Sequence, residues 1–261
     1  MMNVQALPTT ARWQPGPIPV PSSSPRPRHQ EMKAGVEERW STLQEVQDLL
    51  RYEGRLHEGA GAEFFQRRRL RAGQSALVMG QAFEGLYVVR LGTLKSLITN
   101  VDGGVHVLGF PMKGNLLGFD GIYQNAYMSE VVALTDCDLI RLPATDLFTP
   151  ENNNHLEHMA YWASSREIIQ EQEAYSLTRS VKSEARVARF LHTMSQRFED
   201  MGWSPCRFIL PMTRRDIGHH LSVTVETVSR AFSALVQQGI IEVEFREIRI
   251  IARDALCHFE K

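Results

Sequence analysis

Cysteine is scarce in this chain of 261 residues, with Cys137, Cys206 and Cys257 as the whole supply. Three scattered thiols cannot make a disulfide framework, and they fall short of the four thiolates that normally hold an iron–sulfur cluster. Long apolar runs are also missing. No stretch approaches the roughly 20 residues that a membrane-spanning helix needs, so no membrane partner is expected. The N-terminus lacks the basic-then-apolar layout of a secretory signal, which makes a cytoplasmic location the expectation. An excess of either charge is absent too, the net charge being -1. That balance does not argue against a nucleic-acid partner, because local placement of basic groups matters more than their sum.

What is abundant is unevenly placed. Residues 1–35 hold Pro8, Pro15, Pro17, Pro19, Pro21, Pro25 and Pro27 beside the run Ser22 to Ser24. Such a composition buries too little apolar surface to offset the entropy of ordering, and a disordered tail is predicted. From Val36 to about Phe65, Leu43, Val46, Leu49 and Leu50 recur at helical spacing with Ser41 as a cap, which predicts one or two short helices. Residues 66 to about 148 carry short apolar runs punctuated by glycine, the pattern of an antiparallel roll or barrel. A metal enzyme on such a roll would need several His, Glu or Asp converging on strand positions. This segment offers His106, with acids such as Glu84, Asp102 and Asp120 near turn glycines, so neither catalysis nor a metal site is expected.

The most informative stretch is Leu210 to Gly239. Thr213 followed by Asp216 predicts a capped helix start, and Ile217 with Leu221 puts apolar groups on one face. Ser222 and Val223 interrupt the pattern. Thr224 caps a second helix, whose stripe of Val228, Phe232, Leu235 and Val236 ends at Gly239. Two helices joined by a short turn make a helix-turn-helix, whose second helix enters the DNA major groove. Opposite the stripe lie Val225, Glu226, Ser229 and Arg230. Arg230 can donate two hydrogen bonds to guanine, and Glu226 can accept from cytosine. Ser229 serves either role, and Val225 offers apolar contact. Thr213, Arg214, Thr224 and Thr227 are predicted as phosphate or positioning contacts.

The string from Thr213 to Arg230, TRRDIGHHLSVTVETVSR, resembles the DNA-binding helices of the CRP/FNR family of bacterial transcription regulators, and within it the FNR-like branch, through Glu226, Ser229 and Arg230. The resemblance runs from about Phe64 to the C-terminus. It implies double-stranded DNA with TTGAT and ATCAA half-sites about four base pairs apart, a homodimer, and control of RNA polymerase. The implied fold is α+β: a cyclic-nucleotide-binding-type, jelly-roll-like β-roll at 36–150, a dimerisation helix at 151–180, and a winged helix-turn-helix at 181–261. Oxygen-sensing members carry cluster cysteines ahead of the roll, whereas this chain has none before Cys137. Cyclic-nucleotide members present an Arg-Ser pair to the phosphate. Met128-Ser129 stands at that place and Phe119-Asp120 where a Glu meets the ribose, so a cyclic nucleotide is not favoured. Haem would need an axial ligand such as His106, His155, His158 or Cys137.

Within the dimerisation helix a heptad seam passes through Tyr161, Ser164, Ile168, Glu171 and Tyr175. Glu171 would face its own copy, which predicts a weak dimer that Glu171→Leu strengthens. A second stripe through Leu156, Met159, Ala163 and Ile169 is expected to pack on the roll. The helix after it, Val181 to Met201 with Ser183 as cap, carries Lys182, Arg186, Arg189 and Arg197 on one side. That side is either solvated or in contact with phosphates. Strands at Arg207–Leu210, 240–245 and 248–251 complete a wing whose turn residue Arg246 is a further phosphate contact.

Overall fold

A computed structural model describes residues 39–54, 63–148, 155–179 and 182–259. The predicted tail and the proposed Asn152 to Asn154 caps lie outside these residues. The chain opens with strand β1 (Trp40–Thr42) and helix α1 (Leu43–Leu50). Here the structure corrects the sequence reading. Ser41 is buried in a strand paired with Phe65, and the cap is Thr42, whose hydroxyl accepts from Glu45 N at 3.1 Å. Phe64 and Phe65 open a strand, not a helix end, because their alternate pairing with β1 and their burial outweigh the short helical pattern before them.

The roll is two antiparallel sheets. One is ordered β1-β2-β9-β4-β7, from β2 (Phe64–Leu70), β9 (Cys137–Pro143), β4 (Gly85–Leu91) and β7 (Leu116–Leu117). The other is ordered β3-β8-β5-β6, from β3 (Ser75–Leu77), β8 (Glu130–Ala133), β5 (Leu94–Thr99) and β6 (Val105–Gly109). Leu86, Val88, Val89, Leu139, Ile140 and Leu142 are fully buried. Neighbours in a strand point to opposite faces, so β4 and β9 are covered on both sides, by the facing sheet and by the helices that share their core through Leu43, Val46, Leu156 and Met159. Tyr127 is locked in the same core: its hydroxyl donates to Gly85 O at 2.9 Å, and desolvation pushes its pKa up to about 12.

After the short helix α2 (Ala144–Leu147) comes α3 (His155–Arg179). Leu156, Met159, Ala160 and Ala163 are buried against the roll, in agreement with most of the second stripe. Ile169 is 54% exposed and does not belong to it. Ten residues separate Ile169 from Met159, close to three turns of 3.6, but Ile169 is six from Ala163, which rotates it away from the roll. Helix α4 (Ser183–Asp200) begins at Lys182 without a side-chain cap, so Ser183 is the first helical residue and not the cap.

Strand β10 (Arg207–Ile209), helices α5 (Arg214–Leu221) and α6 (Val225–Gln237), strands β11 (Ile241–Glu244) and β12 (Glu247–Ile250), and helix α7 (Arg253–Cys257) finish the chain. Its three strands form an antiparallel wing sheet ordered β10-β12-β11. The C-terminal core of Val187, Leu191, Met194, Ile217, Val228, Phe232 and Leu235 takes in Leu97, Val107, Phe110 and Met112 from the roll. The two halves therefore share apolar packing across the edge formed by β5 and β6.

Candidate DNA interface

The helix-turn-helix rests on two threonine caps. Thr213 Oγ1 accepts from Asp216 N at 3.1 Å while Asp216 Oδ2 accepts from Thr213 N at 2.9 Å, a complete capping box. Thr224 Oγ1 accepts from Thr227 N at 3.2 Å. Between the helices, Ser222 adopts φ 55 and Val223 N donates to Gly218 O at 3.0 Å. A Cβ at Gly218 would fall 2.8 Å from Val223 O, so only glycine lets the second helix approach so closely. The caps and apolar spacing of this stretch do not point to Gly218. A glycine alone inside a helical pattern was the available signal.

Helix α6 buries Val228, Ala231, Phe232 and Leu235, while Val236 is 45% exposed and leaves the predicted stripe. On the far side Val225, Glu226, Ser229 and Arg230 are all exposed, as base reading requires. Hydrogen bonds from its own backbone N–H and from Thr224, and then Arg230, hold the Glu226 carboxyl below its ordinary range, so it is a ready acceptor.

The positioning residues divide. Thr213 and Thr224 are exposed. Thr227 is only 8% exposed, and its hydroxyl receives Arg230 Nη2 at 3.3 Å, which suits the positioning one of its two predicted roles. Arg214 places its guanidinium 3.0 Å from the centroid of the Phe232 ring, and burial pulls its pKa down to about 10. Its half-buried stacking ties α5 to α6 and leaves the exposed Arg215 as the more open cation at that helix start. Arg246 donates to Pro211 O at 3.1 Å, which fixes the wing turn to the approach to α5.

The basic side of α4 is divided: Lys182 is exposed, Arg186 and Arg189 are half-buried on a cavity, and Arg197 is committed to the interior. Arg197 Nη2 donates to Asn115 Oδ1 at 2.8 Å, and burial lowers its pKa although Glu167 lies close. Asn115 Nδ2 in turn donates to both Glu167 oxygens, at 3.0 and 2.8 Å. Arg166 donates to Leu50 O at 2.9 Å and Gly114 O at 2.6 Å. One polar network thereby joins α1, the roll, α3 and α4. At the roll's edge Lys95 Nζ lies 2.7 Å from Asp216, whose carboxyl is pushed up by burial but held down overall by Lys95 and Thr213. Nδ1 of His220 sits 3.1 Å from Val107 O, which accepts only, so Nδ1 carries the proton. Its ring packs edge-on against Phe110 and Phe190, and burial lowers its pKa.

A cavity of about 440 Å³ lies between the roll, α3 and α4. Ser129 and Asp120 both line it, but Ser129 Oγ donates to Asp120 Oδ2 at 2.7 Å, and Glu167 and Glu171 add further acid. Desolvation, then Glu167 and Asp120, raise the Glu171 carboxyl. Arg186, Arg189 and Arg197 line the same cavity, so it carries both signs of charge, with the Ser129 hydroxyl already engaged by Asp120. The four haem-ligand candidates are not among the cavity's lining. Cys137 is buried at a strand end with Sγ 3.2 Å from Thr135 O, and burial raises its pKa. Among the described residues no three His, Cys, Asp or Glu are placed to hold a metal ion, and no helix is long and apolar enough to cross a membrane.

Of the seam on α3, Tyr161 and Ile168 are 55% and 44% exposed, joined by Trp162 and Ile169. Ser164 is half-buried, and the Tyr175 side chain lies outside the described set. Glu171 is also exposed, but it lines the cavity near Glu167 and Asp120 of its own chain.

A capped helix pair with an open reading face, a wing and an appended roll define a winged-helix DNA-binding protein with a sensor-type domain. The family model described as Crp-like helix-turn-helix domain matches residues 185–259, and that of the cyclic nucleotide-binding domain matches 67–149. Transcriptional regulatory protein btr of Bordetella pertussis is 34% identical over 188 residues, 71% of this chain and 77% of the relative. The fumarate and nitrate reduction regulatory protein of Escherichia coli K12 is 32% identical over 193 residues, 74% and 77% of the two chains. The structure of FixK2 from Bradyrhizobium japonicum shares the fold with a TM-score of 0.67 at 24% identity, over 75% of this chain and 96% of that one. The chain belongs to the CRP/FNR family of DNA-binding transcription regulators.

Proposed function

We propose that this regulator reads TTGAT/ATCAA palindromes as a homodimer and so controls transcription by RNA polymerase in the cytoplasm. The observation that carries the reading is the exposed set Glu226, Ser229 and Arg230 on a helix held by Thr224. Arg230 pairs with guanine and Glu226 with the cytosine amino group of each half-site. The exposed apolar residues Tyr161, Ile168 and Ile169 on α3 support self-association through that helix. The protein has no catalytic role in this reading, and it works without an iron–sulfur cluster or metal.

Met128 in place of the arginine and the engagement of Ser129 by Asp120 support regulation that does not depend on a cyclic nucleotide, and the placement of the histidines speaks against haem. Activity then follows the amount of protein and its dimerisation. The test is fluorescence anisotropy of ligand-free full-length protein on a TTGAT/ATCAA duplex against a TGTGA/TCACA competitor at fixed salt. Selective binding to the first supports the reading. Preference for the competitor, or none, overturns the operator assignment.

A further inference from the structure

Three aromatic rings from three parts of the chain meet where the helix-turn-helix rests on the roll. Phe110 follows β6, Phe190 lies on α4 and His220 lies on α5. Ring centroids are 5.9 Å apart for Phe110 and Phe190, 5.3 Å for Phe110 and His220, and 5.9 Å for Phe190 and His220, each pair edge to face. Such contacts add to the area that the rings bury, and here they close a triangle across the seam. Beside them Val107 O accepts from His220 Nδ1 at 3.1 Å, and Leu97, Ile217 and Leu221 share the apolar packing. One turn earlier on α5, the ion pair of Asp216 with Lys95 ties the same helix to β5.

His220 is the titratable member of the triangle. In the neutral ring Nδ1 donates to Val107, so a second proton must go on Nε2 and bring a full charge among apolar rings. The surrounding groups oppose that charge. Burial lowers the pKa more than the carbonyls of Val107 and Leu108 raise it, and His106 of β6 and Arg197 of α4 lower it further. Arg186 and Arg189 of α4 line the cavity that the ring borders, and His219 is its neighbour on α5. Among the carboxylates, Asp216 is engaged by Lys95 and Thr213. Glu167, Glu171 and Asp120 stand along the same cavity, where Asn115 holds Glu167 and Ser129 holds Asp120.

We infer that the seam between α5 and the roll is an acid-sensitive latch on the DNA-binding unit. With His220 neutral, α5 is held on β6 and α6 is presented at a fixed angle. With both ring nitrogens protonated, the seam opens and the helix-turn-helix moves free of the roll. A ring that must be neutral in the closed state takes its proton more readily once the seam is open. The closed state is therefore full above the ordinary histidine pKa of about 6.5 and weakens as pH falls through it. DNA affinity follows, because α5 is the helix that crosses the DNA backbone and a unit free of the roll must be ordered again on binding. Burial raises the Asp216 carboxyl, but Lys95 and Thr213 hold it below its ordinary range, so that pair stays charged while His220 titrates. The inference rests on DNA binding by this family and not on the operator sequence proposed above.

The test uses the full chain and a duplex that it selects from a random library, at fixed ionic strength and at pH about 7.5 and about 5.5. Hydrogen exchange, corrected for the intrinsic effect of pH, compares the seam segments 105–112 and 216–222 with the roll strand 85–91. Anisotropy follows the DNA. In acid the seam segments should lose about three- to tenfold in protection while the strand keeps its own, and DNA affinity should fall by a similar factor. His220→Phe keeps a ring in the triangle, and His220→Gln keeps a donor for Val107 O. Neither side chain titrates, so in these variants both readouts should be constant across the two pH values. A pH effect of wild-type size in either variant overturns the latch and assigns the effect to another group. Unchanged protection of the wild-type seam also overturns it, as does equal loss in the strand, which is general acid unfolding. Tighter DNA binding in acid overturns it too, because the closed seam would then be inhibitory.

Discussion

Two arginine-bearing faces of the C-terminal half have similar composition and opposite fates. On α6, Arg230 stands on an open surface with Glu226 and Ser229. On α4, Arg197 is spent on Asn115, and Arg186 and Arg189 line a cavity against the roll. A cation is committed to the interior where fixed acceptors satisfy it, and stays open to a ligand where its partner is a single long bond on its own helix, as Thr227 is for Arg230. The outward face is open to a ligand, and the inward one holds the helix-turn-helix against the roll.

Breaking the inward face should have the largest effect. Arg197→Met strips the Asn115–Glu167 network of its cation, and should cost about 2–3 kcal/mol in a denaturant melt. Arg230→Ala should leave the melt unchanged but weaken operator binding by ~1–3 kcal/mol and relax discrimination at one base pair, as anisotropy on single-substituted duplexes reports. Equal loss on every sequence would make Arg230 a phosphate contact.

Lys95→Ala should cost about 1 kcal/mol near neutrality, because it removes one of the groups that depress Asp216. A depressed carboxylate contributes stability above its unfolded pKa and loses it as pH falls through the folded value. The gap between wild type and variant should therefore be full at pH 7 and close below the ordinary carboxylate range. A gap independent of pH would show that Lys95 acts through packing. Smallest is Glu171→Leu. It removes a carboxylate crowded by Glu167 and Asp120 and enlarges the apolar surface near Ile168. Sedimentation should show a modestly tighter dimer, and an unchanged profile would remove Glu171 from the seam.

How legible each part was follows from how local its causes are. The capping box at Thr213 and Asp216, the cap at Thr224 and the open set on α6 are decided within a few residues, and periodicity revealed them. Thr227 stayed open between two roles because a threonine one turn from a cap looks the same whether its hydroxyl faces a phosphate or Arg230. Ile169 and Val236 misled because stripes drift when spacing departs from 3.6 residues per turn.

By itself the sequence determined the order of parts, the chemistry of the recognition helix and the shortage of thiols for a cluster, since each depends on residue type and near-neighbour spacing. Only the tertiary structure decided that α4's arginines turn inward, that Asp216 meets Lys95 and that Ser129 is consumed by Asp120. Two of these pairings join residues far apart in the chain, and Ser129 and Asp120 meet only where the roll folds over on itself. Their energetics depend on burial, which no local pattern encodes.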